Sequence, residues 1–228
     1  MSAARQHNAR QTRRGELRSE RVLRAAADLF LERGYDGASV DEVIQRSGGS
    51  KTYIYSEFGG KRGLFLAAIE QLCNEVQVTL KIVDVSELPI DDGLRHLARA
   101  FVRALLGERH LAFQRLVFAE SVRFPKAGET WFQRGLQSAC LIFSRFLERG
   151  MSAGLLRSAN PELAAYLFHD LISGHLLDRT WLGIGKRPGA KEINCMIDAA
   201  VDLFVKGYAA PATSRSNRIS LQPKMPKV

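Results

Sequence analysis

The apolar residues recur at intervals of three and four along most of the chain, which is the spacing of amphipathic helices. No stretch keeps the alternation of apolar and polar positions, with β-branched enrichment, that marks a strand. The sequence therefore predicts an all-α protein. The predicted helices span residues 16–33, 39–46, 50–58, 61–83, 90–106, 108–122, 127–151, 161–182 and 191–208.

The second and third helices have the clearest boundaries. Ser39 and Glu42 form a Ser-x-x-Glu capping box, and Ser50 is a suitable N-cap for the next helix. Glycine pairs then follow each of these helices, and Gly34 ends the first helix. The breaks along the chain predict a flexible basic arm over 1–15, a three-helix unit over 16–62, a helical body over 63–209 and a disordered basic tail over 210–228.

Charge is concentrated at the two ends of the chain. The 228 residues include 33 Lys and Arg against 24 Asp and Glu, for a formal charge of +9. Residues 1–62 carry a net +4, residues 63–205 are neutral and residues 206–228 carry +5. The basic ends are either solvated tails or contact surfaces for nucleic acid. The N-terminal segment holds five arginines that would either follow DNA phosphates, reach into a minor groove or remain in solvent: Arg5, Arg10, Arg13, Arg14 and Arg18.

Several classes of protein are disfavoured by what the sequence lacks. Three widely separated cysteines, Cys73, Cys140 and Cys195, favour neither a disulfide framework nor a zinc site. The polar N-terminus has no apolar core of a signal peptide, and no apolar run reaches the roughly 18 residues that a membrane span needs. We therefore expect a soluble, cytoplasmic protein with no membrane partner.

Catalytic motifs are also missing from the sequence. It has no Gly-x-Ser-x-Gly elbow, no phosphate-binding glycine loop and no His-Glu-x-x-His pair. His169-Asp170 and His175-x-x-Asp178 supply too few ligands on one face for a metal site. We expect no catalytic residue, metal or cofactor, and the alternative is an enzyme on a helical scaffold that uses Cys140 or the His169–Asp170 pair.

The short helices at 39–46 and 50–58, joined by a glycine-containing turn and preceded by an amphipathic helix, have the layout of a helix-turn-helix module. The second helix of such a module is polar at its N-terminal end, where side chains meet base edges, and apolar on its inner face. Ile54 and Phe58 suit the inner face. The residues left for the groove or its walls are Ser50, Lys51, Thr52, Tyr53 and Tyr55.

A longer string of residues resembles the N-terminal signature of the TetR/AcrR family of bacterial transcriptional regulators. The string runs Ala26-x-x-Leu29-Phe30, Gly34-Tyr35, Ser39-Val40 and then Ser50-Lys51-x-x-Ile54-Tyr55-x-x-Phe58-x-x-Lys61-x-x-Leu64-Phe65. A second run is similar to the AefR-like branch of that family: Arg115-Leu116-Val117-Phe118-Ala119-Glu120-Ser121-x-Arg123-Phe124-Pro125. The resemblance implies an N-terminal three-helix DNA-binding domain, followed by a C-terminal helical domain for ligand binding and dimerisation.

The resemblance also assigns roles within the module. Tyr55 and Lys61 match positions that hold operator phosphates. Lys51, Thr52 and Tyr53 match positions that face base edges or the groove wall. Ser50 is expected to cap the recognition helix.

Two residues depart from the family's pattern. Tyr53 stands where the family more often has Thr, and Glu57 stands where it often has Tyr or His. A carboxylate facing a phosphate is repelled. Either Glu57 turns toward an arginine such as Arg62, or the footprint of this protein on DNA differs from the usual one.

The resemblance implies a homodimer that binds a palindromic operator, most often as a repressor, and responds to a small-molecule effector, here a hydrophobic or aromatic one. The candidate pocket residues are His96, Phe101, Gln114, Arg115, Phe118, Trp131, Cys140 and His169. The candidate dimer interface of the last two helices comprises Leu167, Leu171, Gly174, Ile193, Ile197, Val201 and Phe204. A further alternative, suggested by Glu57, is a helical ligand-binding or adaptor protein that does not bind DNA specifically.

Overall fold

The computed structural model describes residues 3–210, with side chains from residue 15 onward except that of Val76. Regular structure within this range is helical, and one isolated bridge joins Leu156 to Ala209. The prediction of an all-α protein is confirmed. The helices are α1 (Ala3–Gly37), α2 (Val40–Ser47), α3 (Lys51–Phe58), α4 (Lys61–Lys81), α5 (Ile90–Leu105), α6 (Glu108–Glu120), α7 (Pro125–Thr130), α8 (Ser138–Ser152), α9 (Pro161–Trp181) and α10 (Ala190–Tyr208), and a π-helical segment (Trp131–Gln137) joins α7 to α8.

The first helix differs from its prediction at the N-terminal end. It begins at Ala3 instead of Glu16, so the segment predicted as a flexible arm has a helical backbone from Ala3 onward. The arm contains Ala, Arg and Gln, which favour helices, and it contains no proline. Its apolar positions show no periodicity, which is why the pattern alone missed this helix. The predicted disordered tail lies outside the described residues from 211 onward.

The segment predicted as one helix over 127–151 has a more complex structure. It begins at Pro125, which occupies the first turn of α7, where a missing backbone N–H costs nothing. The π-helical turn from Trp131 to Gln137 then separates α7 from α8. Such turns are rare and often occur at functional sites, and no apolar periodicity identifies them.

Two apolar cores organise the chain, and α4 contributes to both. The first core combines α1–α4 with residues of α6 and α7, and the second combines the end of α4 with α5, α8, α9 and α10. Four aromatic rings cluster where α6 and α7 reach the first core, and these are Phe30, Tyr35, Phe65 and Phe124. The predicted domain boundary at residue 62 therefore falls at the start of a helix that packs into both cores.

Candidate nucleic-acid interface and ligand cavity

The two short helices α2 and α3 are fixed at both ends by local contacts. Ser39 and Ser50 cap them, each accepting a hydrogen bond from the backbone N–H of the third residue on, at 3.2 and 3.3 Å. Gly48 and Gly59 end them in the left-handed region, with φ of 68° and 71°, which a glycine adopts without strain. The predicted caps are confirmed, and they hold the N-terminal end of α3 at the surface.

The inner and outer faces of α3 are divided as the sequence predicted. Ile54 is buried, whereas Ser50, Lys51, Thr52 and Tyr55 are exposed. Four of the residues proposed to meet DNA are therefore accessible.

Tyr53 has a structural role besides its position on α3. The Arg18 guanidinium lies 4.1 Å from the centre of the Tyr53 ring, and the Phe58 ring meets it edge-on at 6.2 Å. Arg18 also donates a hydrogen bond to the Ser50 hydroxyl at 3.1 Å. These contacts join α1 to the start of α3 and place the Tyr53 ring beside the exposed residues at the N-terminal end of α3.

Lys51 makes an ion pair that DNA binding would have to exchange. Its Nζ lies 3.1 and 3.3 Å from the two carboxylate oxygens of Asp41 on α2. Both side chains are well exposed, and surface pairs of this kind contribute little to stability. The lysine can therefore leave Asp41 for a base or a phosphate at small cost.

Tyr55 and Lys61 lie at the junction between α3 and α4. A Cβ on Gly60 would lie 3.2 Å from the Tyr55 ring, so the ring sits directly over that glycine. Lys61 begins α4, donates to the Asp36 carbonyl oxygen at 3.3 Å and lies 4.5 Å from the centre of the Tyr35 ring. The N-terminus of α4 has no side-chain cap, so its free N–H groups suit an anion such as a phosphate.

Glu57 does not turn toward Arg62. Among the described side chains Glu57 has no ion-pair partner, and the Arg62 guanidinium lies over the Phe124 ring at 5.9 Å instead. Glu57 remains an exposed carboxylate on α3. Of the two options that the sequence left open, the pair between Glu57 and an arginine is absent among the described side chains, and a different footprint on DNA stays a prediction.

Two arginines of the helical body bind the module directly. Arg109 on α6 contacts Asp28 on α1 at 2.5 Å and Glu75 on α4 at 2.8 Å. Arg123, just after α6, donates to both carboxylate oxygens of Asp36 at 2.8 Å. These partners are more than 30 residues apart in sequence, so no local spacing identifies them.

A cavity of about 90 Å³ lies between α4, α5, α6, the π-helical segment, α8 and α9. It is lined by Cys73, Phe101, Leu105, His110, Phe113, Gln114, Trp131, Gly135, Leu136, Ala139, His169, Leu177 and Trp181. Four of the eight candidate pocket residues are among them: Phe101, Gln114, Trp131 and His169. The π-helical turn supplies three of the lining residues, which is consistent with a functional role for it.

The other four candidates do not line this cavity. His96 is exposed on α5, with its Nδ1 3.0 Å from the Asp92 carbonyl oxygen. Arg115 is exposed on the outer side of α6 and donates to the Thr180 carbonyl oxygen at 3.3 Å. His96 and Arg115 lie on the same helices as the lining residues Phe101 and Gln114, but on different faces. Residues three or four positions apart share a face of an α-helix, whereas His96 and Phe101 are five positions apart and Arg115 directly follows Gln114.

Phe118 and Cys140 are closer to the cavity but lie outside it. The partly exposed Phe118 ring meets Trp131 and Trp181 edge-on at 5.1 and 5.3 Å. Cys140 is buried in the second core, next to the lining residue Ala139. Phe118 therefore supports the cavity wall from behind.

Sequence reasoning missed Cys73, His110 and Trp181 as lining residues. Cys73 lies on α4, His110 on α6 and Trp181 at the end of α9. Their shared position depends on the packing of α4 and α6 against α9. No spacing along one helix could reveal it.

The polar groups that line the cavity are mostly uncharged. Burial lowers the pKa of His110 to about 4 and raises the pKa of Cys73 to about 12. The imidazole and the thiol are therefore neutral at pH 7. The Gln114 side-chain oxygen accepts a hydrogen bond from the Trp181 indole N–H at 2.8 Å. No Lys, Arg, Asp or Glu lines the cavity.

The pKa of His110 predicts a pH-dependent loss of stability. Well above pH 6.5 the imidazole is neutral in both the folded and the unfolded chain, so it has no effect on the free energy of unfolding. As the pH falls toward 4 the unfolded chain binds a proton that the folded chain does not, which favours unfolding by about 3 kcal/mol in total. Urea denaturation between pH 7 and 4.5 should show a shallower loss for His110→Leu than for the wild type. The exposed His96→Leu variant is the control, and parallel curves for wild type and His110→Leu would contradict the prediction.

Three of the seven candidate dimer residues face outward. Leu167 and Leu171 on α9 are 52% and 37% exposed, and Gly174 on the same face has open space around it. The other four are buried in the chain's own core: Ile193, Ile197, Val201 and Phe204.

Helix α10 has a second, outward face. Cys195, Ala199 and Leu203 are exposed there at intervals of four residues. The spacing in the sequence points to the stripe of α10 with the larger side chains. Larger apolar side chains bury more apolar area, which favours packing that stripe into the chain's own core. The outward face of α9 thus exposes Leu167 and Leu171 beside the half-buried Gly174, and that of α10 exposes Cys195, Ala199 and Leu203.

Two further tests apply to the part of the chain that the structure describes. No helix in it is long and apolar enough to cross a membrane. No group of three His, Cys, Asp or Glu residues in it could hold a metal ion.

Comparison with known protein families identifies the family to which the chain belongs. A model described as bacterial regulatory proteins, tetR family, matches residues 22–68, the segment that forms the capped module. A model described as the AefR-like transcriptional repressor, C-terminal domain, matches residues 92–210, more than half of the chain. The chain belongs to the TetR family of bacterial regulatory proteins. The family and branch that the sequence resembles are thereby confirmed.

Individual TetR-family relatives agree with this assignment. The uncharacterized HTH-type transcriptional regulator YvkB of Bacillus subtilis strain 168 is 23% identical over 192 residues, which are 84% of this chain and 97% of that protein. The HTH-type transcriptional activator FasR of Mycolicibacterium smegmatis is 40% identical over 62 residues, 27% of this chain and 26% of that protein. The protein is a DNA-binding transcriptional regulator.

Solved structures show the same TetR-family fold. A regulator from Mesorhizobium loti MAFF303099 has a TM-score of 0.78 at 24% identity, covering 86% of this chain and 98% of that one. The flavonoid-responsive regulator FrrA has a TM-score of 0.74 at 29% identity, covering 86% of this chain and all of that one.

Proposed function

We propose that the protein is a homodimeric, cytoplasmic repressor that binds a palindromic operator and is released when a small hydrophobic or aromatic effector enters the cavity. One observation carries this proposal. The cavity is bounded by α4 and α6, and the same two helices pack into the DNA-binding module.

On the operator, each α3 would present its exposed N-terminal end to a major groove. Lys51 and Thr52 would reach base edges, and the Tyr53 ring would form part of the groove wall. Tyr55 and Lys61 would bind phosphates on either side of the α3–α4 junction, together with the free N–H groups of α4.

Effector binding would act through the size of the cavity. An apolar cavity of roughly 150 Å³ accommodates benzene, and the cavity here measures about 90 Å³, so even one ring must displace its walls. Phe113 lines the cavity and also belongs to the first core, so displacement of α6 reaches α1. An effector that prefers the expanded form withdraws dimers from the operator by mass action.

The two-fold symmetry of a palindrome requires a paired protein. The outward faces of α9 and α10 supply exposed apolar residues for this pairing. Repression is supported by the description of the AefR-like domain, and an aromatic effector is supported by the description of FrrA as flavonoid-responsive. We expect no enzymatic turnover, since burial raises the pKa of the Cys140 thiol to about 12 and keeps it protonated.

Lys61→Ala tests the proposed phosphate contact. Each dimer would lose two contacts, so affinity for the operator should fall at least tenfold and the slope of log K against log salt should become shallower by about two. The measurement is a titration of labelled operator DNA at several salt concentrations. Lys81→Ala, at the opposite end of α4, is the matched control. If both variants keep the wild-type slope, Lys61 does not bind a phosphate.

The proposed function as a whole is tested by selecting genomic fragments that the protein retains and footprinting the bound sites. The expected result is a palindromic footprint, occupied by two chains, that an effector clears. Fragments that share no palindrome, or a site that no cavity-binding compound releases, would contradict the proposal.

A further inference from the structure

We propose that the effector is an uncharged aromatic molecule carrying an oxygen acceptor, and that the side-chain N–H₂ of Gln114 binds this oxygen. This inference rests on the proposed function, because it places the effector in the cavity.

The orientation of the Gln114 amide is determined by its neighbour. An indole N–H can only donate, so the atom that it meets at 2.8 Å is the Gln114 oxygen. The amide nitrogen must then be the other terminal atom. It makes no hydrogen bond to a described residue and is not one of the buried polar atoms closed off without a partner, so it retains open space beside it.

A polar donor in this position calls for a partner. Gln114 is only 2% exposed and lines the cavity, so its N–H₂ has little access to bulk water. Buried polar groups in proteins almost always have a hydrogen-bond partner, and one without a partner is costly. A ligand oxygen in the cavity would supply the missing acceptor.

The remaining walls favour an aromatic ring. Phe101, Phe113, Trp131 and Trp181 surround the cavity, and Phe118 holds both tryptophan rings edge-on from outside. Aromatic rings pack favourably against one another in offset or edge-on arrangements. The small volume limits the part of the effector nearest Gln114 to about one ring.

The walls also disfavour an anion. No arginine or lysine lines the cavity, burial keeps the His110 imidazole neutral, and Nδ1 of the other lining histidine, His169, already contacts the Asp170 carboxylate at 2.8 Å. A carboxylate that enters would lose its hydration without meeting a paired cation. A ketone, ester, amide or phenol oxygen avoids that cost and still accepts from Gln114.

Three single-ring probes separate these features. Acetophenone has a ring and an acceptor oxygen, α-methylstyrene has the same shape without the oxygen, and benzoate is charged. The chain has two tryptophans, Trp131 and Trp181, and both line the cavity, so tryptophan fluorescence reports its occupancy directly. The wild type should bind acetophenone at least about tenfold more tightly than α-methylstyrene or benzoate.

Gln114→Leu should remove this preference, with acetophenone affinity falling about tenfold and α-methylstyrene affinity changing less than threefold. Gln45→Leu is the matched variant, because Gln45 is an exposed glutamine on α2 that does not line the cavity, and it should keep the preference. A purely structural role of Gln114 would instead make Gln114→Leu weaken both probes alike.

Ala139→Trp should fill the cavity. This variant distinguishes the claim that the cavity is the effector site from the claim that Gln114 binds the effector oxygen. If this variant binds acetophenone as the wild type does, the cavity is not the effector site and the proposed function fails. If it blocks all probes but the wild type does not prefer acetophenone over α-methylstyrene, only the role of Gln114 is overturned. Benzoate binding as tight as acetophenone would overturn the uncharged class, and these wild-type comparisons hold even if Gln114→Leu does not fold.

Discussion

Leu171→Arg is expected to convert the dimer to monomers and to lower operator affinity by about a hundredfold or more. Leu171 lies on the outward face of α9, one turn from Leu167 and next to Gly174. In a two-fold interface the substitution would place an arginine from each chain in an apolar contact, where neither charge has a partner. A monomer then reaches only one half-site and loses the gain from binding both together.

Sedimentation velocity and operator titration of the same samples test this prediction. Ile82→Arg is the matched control, because Ile82 is 77% exposed and lies at the end of α4, on neither α9 nor α10. It should remain dimeric and bind the operator normally. A dimeric Leu171→Arg variant with normal affinity would show that the outward face of α9 is not the interface.

Phe65→Ala should destabilise the folded chain by about 3–5 kcal/mol, the usual range for removing a buried phenylalanine. Phe65 is fully buried, and its ring lies 5.1, 5.0 and 5.4 Å from the rings of Phe30, Tyr35 and Phe124. The cavity left by this substitution would open where α1, α4 and the α6–α7 corner meet. Operator affinity should also fall, since Lys61 lies one turn earlier on α4.

Urea denaturation monitored by circular dichroism measures the stability effect. Phe65→Leu keeps part of the apolar volume and should cost clearly less than Phe65→Ala. A loss below about 1 kcal/mol in Phe65→Ala would mean that the aromatic cluster does not hold α1, α4 and the α6–α7 corner together in the way that the ring contacts indicate.

Local signals predicted the DNA-binding module well. Ser39 and Ser50 cap α2 and α3, and Gly48 and Gly59 end them, because caps and left-handed glycines act within a few residues of the helix end. The inward position of Ile54 was predicted for a similar reason, because its four-residue spacing from Phe58 within one short helix places both on the same face.

Features that depend on packing between distant segments were harder to predict. Phe101 and His96 lie on the same helix, but only Phe101 reaches the cavity, and the partner helices that decide this are not nearby in sequence. The outward face of α10 was not predicted for a similar reason. The apolar stripe through Ile197 and Phe204 is visible in the sequence, but its neighbour is not.

The direct contacts between module and body were also invisible in the sequence. Nothing in the sequence around Arg109 and Arg123 distinguishes them from other surface arginines. The tertiary fold determines their partners, which are Asp28 and Asp36 on α1 and Glu75 on α4. The π-helical turn that begins at Trp131 was also not predictable from the sequence, because no periodicity of apolar residues is typical of such a turn.

The most direct test of the central claim is a fluorescence-anisotropy titration of the purified protein against DNA from upstream of its own gene and a scrambled control, repeated at several salt concentrations. We predict a preference for the upstream DNA of roughly a thousandfold or more, a steep dependence on salt and two chains per site. Equal and weak binding to both DNAs would contradict specific recognition of its own promoter region by α3.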